Sequence, residues 1–221
     1  MDLLKRPPLI RWPLEIGFLV GGALAFVGGE YLRVRRSPKA PVEKKAQRML
    51  NRLDRVARER LNLGSKRHFA DRASYALALF GLPAACLLWL GVTEERPFRA
   101  RSVLDAVRIA QAVVLVGGVN QIVKAIAPRE RPFVQDCPDC QGMRDARGSF
   151  FSSHTSTATA LAAATTRMAL QRGASGWMGV PVYLMSLLVG YLRIASDSHF
   201  LTDVLAGAVF GTTVGALLAR T

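Results

Sequence analysis

Two of the three histidines in this 221-residue chain stand where they could do chemistry. His199 is followed four residues later by Asp203, a spacing that puts both side chains on one face of a helix. A carboxylate so placed can accept the ring N–H of the imidazole, fix its tautomer and leave the other nitrogen free to attack. The same spacing also serves metal pairs and plain helix-surface contacts, so the pair alone fixes no reaction. His154 follows Ser152 and Ser153 at the head of the run TSTATALAAATTRMAL, residues 155–170, where the free N–H groups of a helix start form an anion site. An imidazole there is placed to protonate a leaving alkoxide as a general acid.

Three cations, Lys124, Arg131 and Arg193, belong to the same stretches of chain, with Arg129 and Asp197 beside them. Singly, each basic residue reads as a side chain snorkelling from a helix end. Together they suit an anion better than a metal ion, which would want carboxylates and imidazoles around it. Guanidinium forks bind phosphate oxygens in pairs, an ammonium adds a point charge, and both stabilise charge on a phosphoryl group in transfer.

The elements that must hold these residues are membrane helices. Half of the chain is hydrophobic, and the apolar residues fall in blocks near the roughly 20 residues of a bilayer crossing. Four blocks are clear: Ala73 to Val92, Ala106 to Ala127, Met178 to Ala195 and Phe200 to Leu218. Two are weaker, Leu14 to Leu32 and Thr155 to Leu170, the latter so rich in Ala and Thr that it suits a bundle interior. The expected fold class is therefore all-α, a polytopic membrane bundle of about six spans. The first block follows Lys5, Arg6 and Arg11 but has no small-residue cleavage site before the next charges, so it reads as an uncleaved span rather than a signal peptide. Gly207, Gly211 and Gly215 form a stripe for close helix packing on the last span.

The net charge of +14 is local: the segment 33–72 holds fourteen Lys or Arg against Glu43, Asp54, Glu59 and Asp71. Within it Leu50, Leu53, Ala57 and Leu61 recur at helical spacing among basic residues, which predicts an amphipathic helix on anionic headgroups between the first and second spans. Nucleic acid is the rejected rival, since the segment is short, tethered between spans and free of interleaved aromatics. With no repeat, the chain reads as one domain in two parts, an N-terminal span plus basic segment over 1–72 and a catalytic bundle over 73–221. Parity of crossings puts the segment 33–72, the loop 128–153 and the junction 196–199 on one face. Cys137 and Cys140 form a lone CxxC pair without the partners of a zinc site; a local disulfide and two free thiols both remain open.

The segments KAIAPRERP (124–132), SFFSSHT (149–155) and LRIASDSHFLTD (192–203) resemble the three-part signature of the type 2 phosphatidic acid phosphatase (PAP2) superfamily, in order and in internal spacing. The resemblance implies Lys124, Arg131 and Arg193 as phosphate ligands, Ser152 as a hydroxyl donor and the backbone N–H of Ser153 as another. It further implies His154 as general acid, His199 as nucleophile with Asp203 as its partner, no metal and no other cofactor. Water would then hydrolyse the phosphohistidine with His154 acting as base. Phe151, Ser153 and Leu192 depart from the usual Pro, Gly and Ser, but every charged position is intact, which favours an active enzyme with altered substrate fit.

The substrate class so implied is a lipid phosphate: phosphatidic acid, phosphatidylglycerol phosphate, a polyprenyl diphosphate or a phosphorylated lipid A. The expected location is a bacterial inner membrane with the site on the extracytoplasmic face. The positive-inside rule opposes that orientation through the segment 33–72; the resemblance, a Cys137–Cys140 disulfide if formed, and the basic N-terminus at Lys5, Arg6 and Arg11 favour it. A homo-oligomer is compatible with the sequence. Two rival functions are a phosphotransferase on the same scaffold and a non-catalytic anionic-lipid binding or transport protein. The second would not need His154, His199 and Asp203, which are all present.

Overall fold

The computed structural model describes residues 12–36, 51–92, 100–143 and 145–219. They are helical, and the sole β-pairing among them is an isolated bridge between Arg129 and Gly148. In chain order the helices are α1 (Trp12–Arg36), α2 (Arg52–Leu61), α3 (Arg67–Ala76), α4 (Leu82–Val92), α5 (Ala100–Ile126), α6 (Ser153–Gln171), α7 (Val180–Ala195) and α8 (Leu201–Leu218). A 3-10 turn, Gly64–Lys66, leads into α3, and a π turn, Leu77–Gly81, joins α3 to α4 in one continuous rod. The π turn has a local cause. Pro83 lacks an N–H and its ring crowds the carbonyl four residues back, so the helix widens there.

Among the described residues five stretches are long and apolar enough to cross a membrane: Trp12–Arg35, Gly64–Val92, Val103–Ile126, Gly176–Ala195 and Leu201–Leu218. The second starts nine residues before the expected Ala73, because polar residues such as Asp71 and Ser74 on its first turns face the bundle instead of lipid. The weak block after His154 forms α6, which has a span's length in 19 residues but lacks the hydropathy. Its reason is position: α6 packs against α4, α5, α7 and α8, and twelve of its residues are buried. Small Ala and Thr side chains let four neighbours approach one helix.

The tightest approach is that of α6 to α8. A Cβ added at Gly207 would come 2.8 Å from the Ser152 carbonyl oxygen, and one at Gly211 or Gly215 would be driven into the carbonyl oxygens of Ser156 or Ala160. Gly211→Ala is thus expected to cost about 3 kcal/mol, the upper end of overpacking, as a lower midpoint in thermal unfolding in detergent. Gly17→Ala is the control, since nothing lies within 4 Å of a Cβ there.

The predicted basic interfacial helix is more engaged with the bundle than its sequence suggests. Residues 37–50 lie outside the described residues, and Arg52–Leu61 forms α2. Its inner edge, Asp54 and Ala57, is buried at 1% and 7% exposure against the ends of α7 and α8. Arg58 reaches Asp197 through Nε at 2.7 Å and a terminal nitrogen at 2.6 Å, so this arginine serves the protein and not headgroups. Arg52, Leu53, Arg55 and Val56 stay exposed on the outer edge. Contacts such as Arg33 with Asp145 and Leu63 N–H with the Ala195 carbonyl gather the described parts of 33–72 and 128–153 with the junction 196–199 at one end of the bundle.

Candidate active site

The ends of α5, α6, α7 and α8 and the loop between α5 and α6 meet at this end, beside α2. His199 sits in the short junction between α7 and α8, whose turn is closed by Asp197 in the left-handed region at φ 58°, a conformation that Asp tolerates better than most residues. The Asp197 carboxylate is held by Arg58 and its carbonyl by the Phe133 N–H at 3.1 Å. His199 itself is 1% exposed.

Its orientation differs from the expected one. Nδ1 lies 2.7 Å from the Ser149 carbonyl oxygen, while the nearer Asp203 oxygen is 3.9 Å away. A carbonyl can only accept, so Nδ1 carries the proton and Nε2 keeps its lone pair. Asp203 acts one step further back. It is fully buried and accepts from the Ser149 hydroxyl at 2.6 Å, the Phe200 N–H at 3.0 Å and Arg129 at 2.5 Å. The reason is the helix start: Asp203 is the third residue of α8 and reaches back to the Phe200 N–H, so the oxygen nearest the imidazole is already taken up by that N–H and the Ser149 hydroxyl.

The three expected cations converge on this imidazole. Burial first, then the positive charges of Arg131, Arg193 and Lys124, holds His199 well below the ordinary histidine value of 6.5. Lys124 Nζ lies 2.8 Å from Ser153 Oγ. Arg131 is tied to the Asp145 carbonyl at 2.9 Å, the Asp145 carboxylate at 2.5 Å and the Ser198 carbonyl at 3.2 Å. Arg193, 1% exposed, donates to Asp71 at 2.6 Å and Ser74 at 2.9 Å, yet its Nε–H has no acceptor among the described residues. A buried guanidinium edge without a partner is costly in a closed protein and is the natural dock for an anion's oxygen.

His154 stands in the first turn of α6, its ring edge-on to Tyr75 with centroids 4.2 Å apart, and Tyr75 in turn lies under Arg193 at 5.4 Å. Burial first, then Arg193, Lys124 and Arg131, also lowers the proton affinity of His154 well below the ordinary value. Ser152 turns its oxygen into its own helix, accepting from the Thr155 N–H at 3.4 Å and the Thr155 hydroxyl at 3.0 Å. The hydroxyl donation expected of it therefore rests on its one proton. Ser153 begins the helix, so its N–H is one of the free first-turn donors.

Two residues of this site carried too little signal to be assigned from sequence. Arg129 is marked in the sequence only by its location, and it bridges Asp203 and Asp54. Asn120 sits one helical turn before Lys124, 1% exposed. Its amide donates to the Phe151 carbonyl at 2.7 Å and accepts from the Ser153 hydroxyl at 2.8 Å, which explains how Ser is accommodated where the signature has Gly. Spacing four before Lys124 was the available clue, but a polar residue in a span has many other uses. Asn120→Leu leaves the buried Phe151 carbonyl without its donor, expected to cost about 1–3 kcal/mol, read by thermal unfolding; the Ser153 hydroxyl keeps Lys124.

Cys137 and Cys140 are joined in a disulfide. Residues 105–221 match the PAP2 superfamily. Undecaprenyl-diphosphatase BcrC of Bacillus subtilis (strain 168) is 30% identical over 146 residues, 66% of this chain and 69% of that one. The crystal structure of Aquifex aeolicus LpxE aligns with a TM-score of 0.53 at 21% identity over 76% of this chain and 93% of that one, a likeness of fold. A family match over more than half of the chain agrees with the cations and paired histidines gathered at one membrane end: the chain belongs to the PAP2 superfamily, in its membrane phosphatase branch.

Proposed function

We propose that the protein removes a phosphate from a lipid phosphomonoester or diphosphate through a phosphohistidine on His199, without a metal ion. The observation that carries this reading is the buried imidazole with a proton fixed on Nδ1, among three cations of which Arg193 has an unfilled donor. Nε2 attacks phosphorus, and the bond to the leaving oxygen breaks with its electron pair. His154 gives that oxygen a proton. Water then attacks the phosphohistidine while His154 takes its proton, the P–N bond breaks, and its electrons return to Nε2 as phosphate departs. Lys124, Arg131 and Arg193 carry the charge of the transferring oxygens throughout, with the Ser153 N–H and the Ser152 hydroxyl as neutral donors. A cationic set of this kind repels a metal ion, so the electrostatic work falls to the side chains.

A polyprenyl diphosphate is the first substrate to test, because a relative covering two thirds of the chain is named for one. The site is proposed to face the extracytoplasmic side of a bacterial inner membrane, supported by the Cys137–Cys140 disulfide, which persists in oxidising compartments. The basic outer edge of α2 would then rest on anionic headgroups of that leaflet. Labelling of a cysteine placed at Ser65 from each side of sealed vesicles tests this orientation. Reaction only with an impermeant reagent added from the cytoplasmic side would refute it.

The reading is tested with the purified protein and a panel of lipid phosphates, with and without excess chelator; phosphate release unaffected by chelator is expected. The pH profile gives a second check. Both histidines are lowered in the free enzyme, so kcat/KM should be greatest below pH 6.5, the ordinary histidine value. A bound phosphate dianion offsets the cations and favours protonated His154, so the alkaline limb of kcat should lie at higher pH than that of kcat/KM.

A further inference from the structure

A buried charge network links α2, which lies outside the family-matched region, to the histidine. Asp54 is 1% exposed, and its carboxylate accepts from Arg129 at 2.7 Å, from the Thr202 hydroxyl at 2.8 Å and from the Thr202 N–H at 2.8 Å. The last contact makes α2 the cap of α8, since Thr202 N–H belongs to the first turn of that helix and has no acceptor within it. Arg129 then spans the gap. It donates to Asp203 at 2.5 Å and to Thr202 at 2.8 Å, and its guanidinium lies 4.4 Å over the ring of Phe200, the neighbour of His199. Its own carbonyl accepts the Ser149 N–H at 3.0 Å. Ser149 is thus held twice, by the Arg129 backbone and through Asp203, and it is the Ser149 carbonyl that fixes the His199 ring.

Two carboxylates almost wholly buried on one guanidinium are costly to desolvate, and the arrangement holds only because every oxygen is matched. A stable fold could fill this volume with apolar side chains at less cost. From this geometry we infer that Arg129 is a positioning residue for the nucleophile and that Asp54 of α2 is its anchor, so that the N-terminal part of the chain completes the active site. Arg129 touches no substrate in this account. It sets the angle of the imidazole by fixing Ser149 and the start of α8 together.

This inference rests on His199 being the nucleophile, and the test separates the two. Arg129→Gln, Arg129→Lys and Asp54→Asn are compared with wild type in the full-length protein. The first is expected to lower kcat about a hundredfold, the scale of a misaimed reacting group, with KM and inhibition by inorganic phosphate unchanged. Lysine keeps a charge but cannot bridge both carboxylates, so it should rescue little; Asp54→Asn should fall between. The acid limb of kcat/KM should move to higher pH in Arg129→Gln. Asp203 is then the one charge facing His199 that loses its counter-ion, while Lys124, Arg131, Arg193 and His154 are unaltered. A merely structural role would reduce the active fraction without moving the limb. Independently of turnover, nitrogen NMR of the imidazole should show Nδ1–H in wild type and mixed tautomers in Arg129→Gln. Wild-type kcat, or a raised KM with an unmoved limb and an unchanged tautomer, would overturn the inference. Absence of phosphatase activity in wild type with the tautomer shift intact would overturn the nucleophile reading alone.

Discussion

His199→Ala is expected to stop phosphate release, with a fall of about four orders of magnitude or more in kcat, the scale seen when a covalent nucleophile is removed. The fold should survive the change. Among the described residues the His199 side chain makes a single hydrogen bond, to the Ser149 carbonyl, and the Ser149 hydroxyl, Asp203 and Arg129 remain bonded to one another without it. Deleting an imidazole that is already neutral leaves no buried charge behind. A melting midpoint close to wild type, together with retained binding of inorganic phosphate, would show that chemistry and not structure was lost.

Arg193→Met is expected to have the next largest effect, lowering kcat/KM about a thousandfold, as removal of a donor aimed at transition-state charge does. Size and burial are roughly kept by methionine. The released partner, Asp71, is 41% exposed at its side chain and can return to water, so no uncompensated buried carboxylate results. That distinguishes Arg193 from Arg129, whose partners Asp54 and Asp203 are almost fully buried. The measurement is steady-state kinetics against the same lipid phosphate, with Arg193→Lys as a partner variant. Lysine should recover only part of the loss, because a point charge cannot present the Nε–H edge together with a second donor.

Much of this site was legible because charged residues in apolar sequence have few reasons to be there. Lys124, Arg131, Arg193, His154 and His199 stand out against spans, and parity of crossings alone places their loops on one face. Helix existence followed from block length, and even the odd composition of α6 was explained by its place in the bundle interior. The His199–Asp203 contact was not legible. Spacing of four assumes both residues lie within the helix, whereas His199 precedes it and Asp203 is spent on the helix start. Asp54 and Arg58 were read as members of a charge run, and the run concealed them: among fourteen basic residues nothing in the sequence marks the one that turns inward to Asp197. Long-range pairs such as Asp54 with Arg129 depend on how α2 folds back over α7 and α8, which no local pattern encodes.

The central claim is a covalent phosphate on His199, and quenched-flow trapping addresses it directly. A phosphate-labelled substrate with a good leaving group is mixed with His154→Ala, in which attack proceeds but the base for the hydrolytic step is gone, and the protein is quenched within milliseconds to seconds. The expected result is a stoichiometric phosphoprotein, stable to alkali and labile to acid, with the label on the peptide containing His199 and none in the His199→Ala variant. Phosphate release without any labelled protein at all quench times, or label on a serine instead, would contradict it.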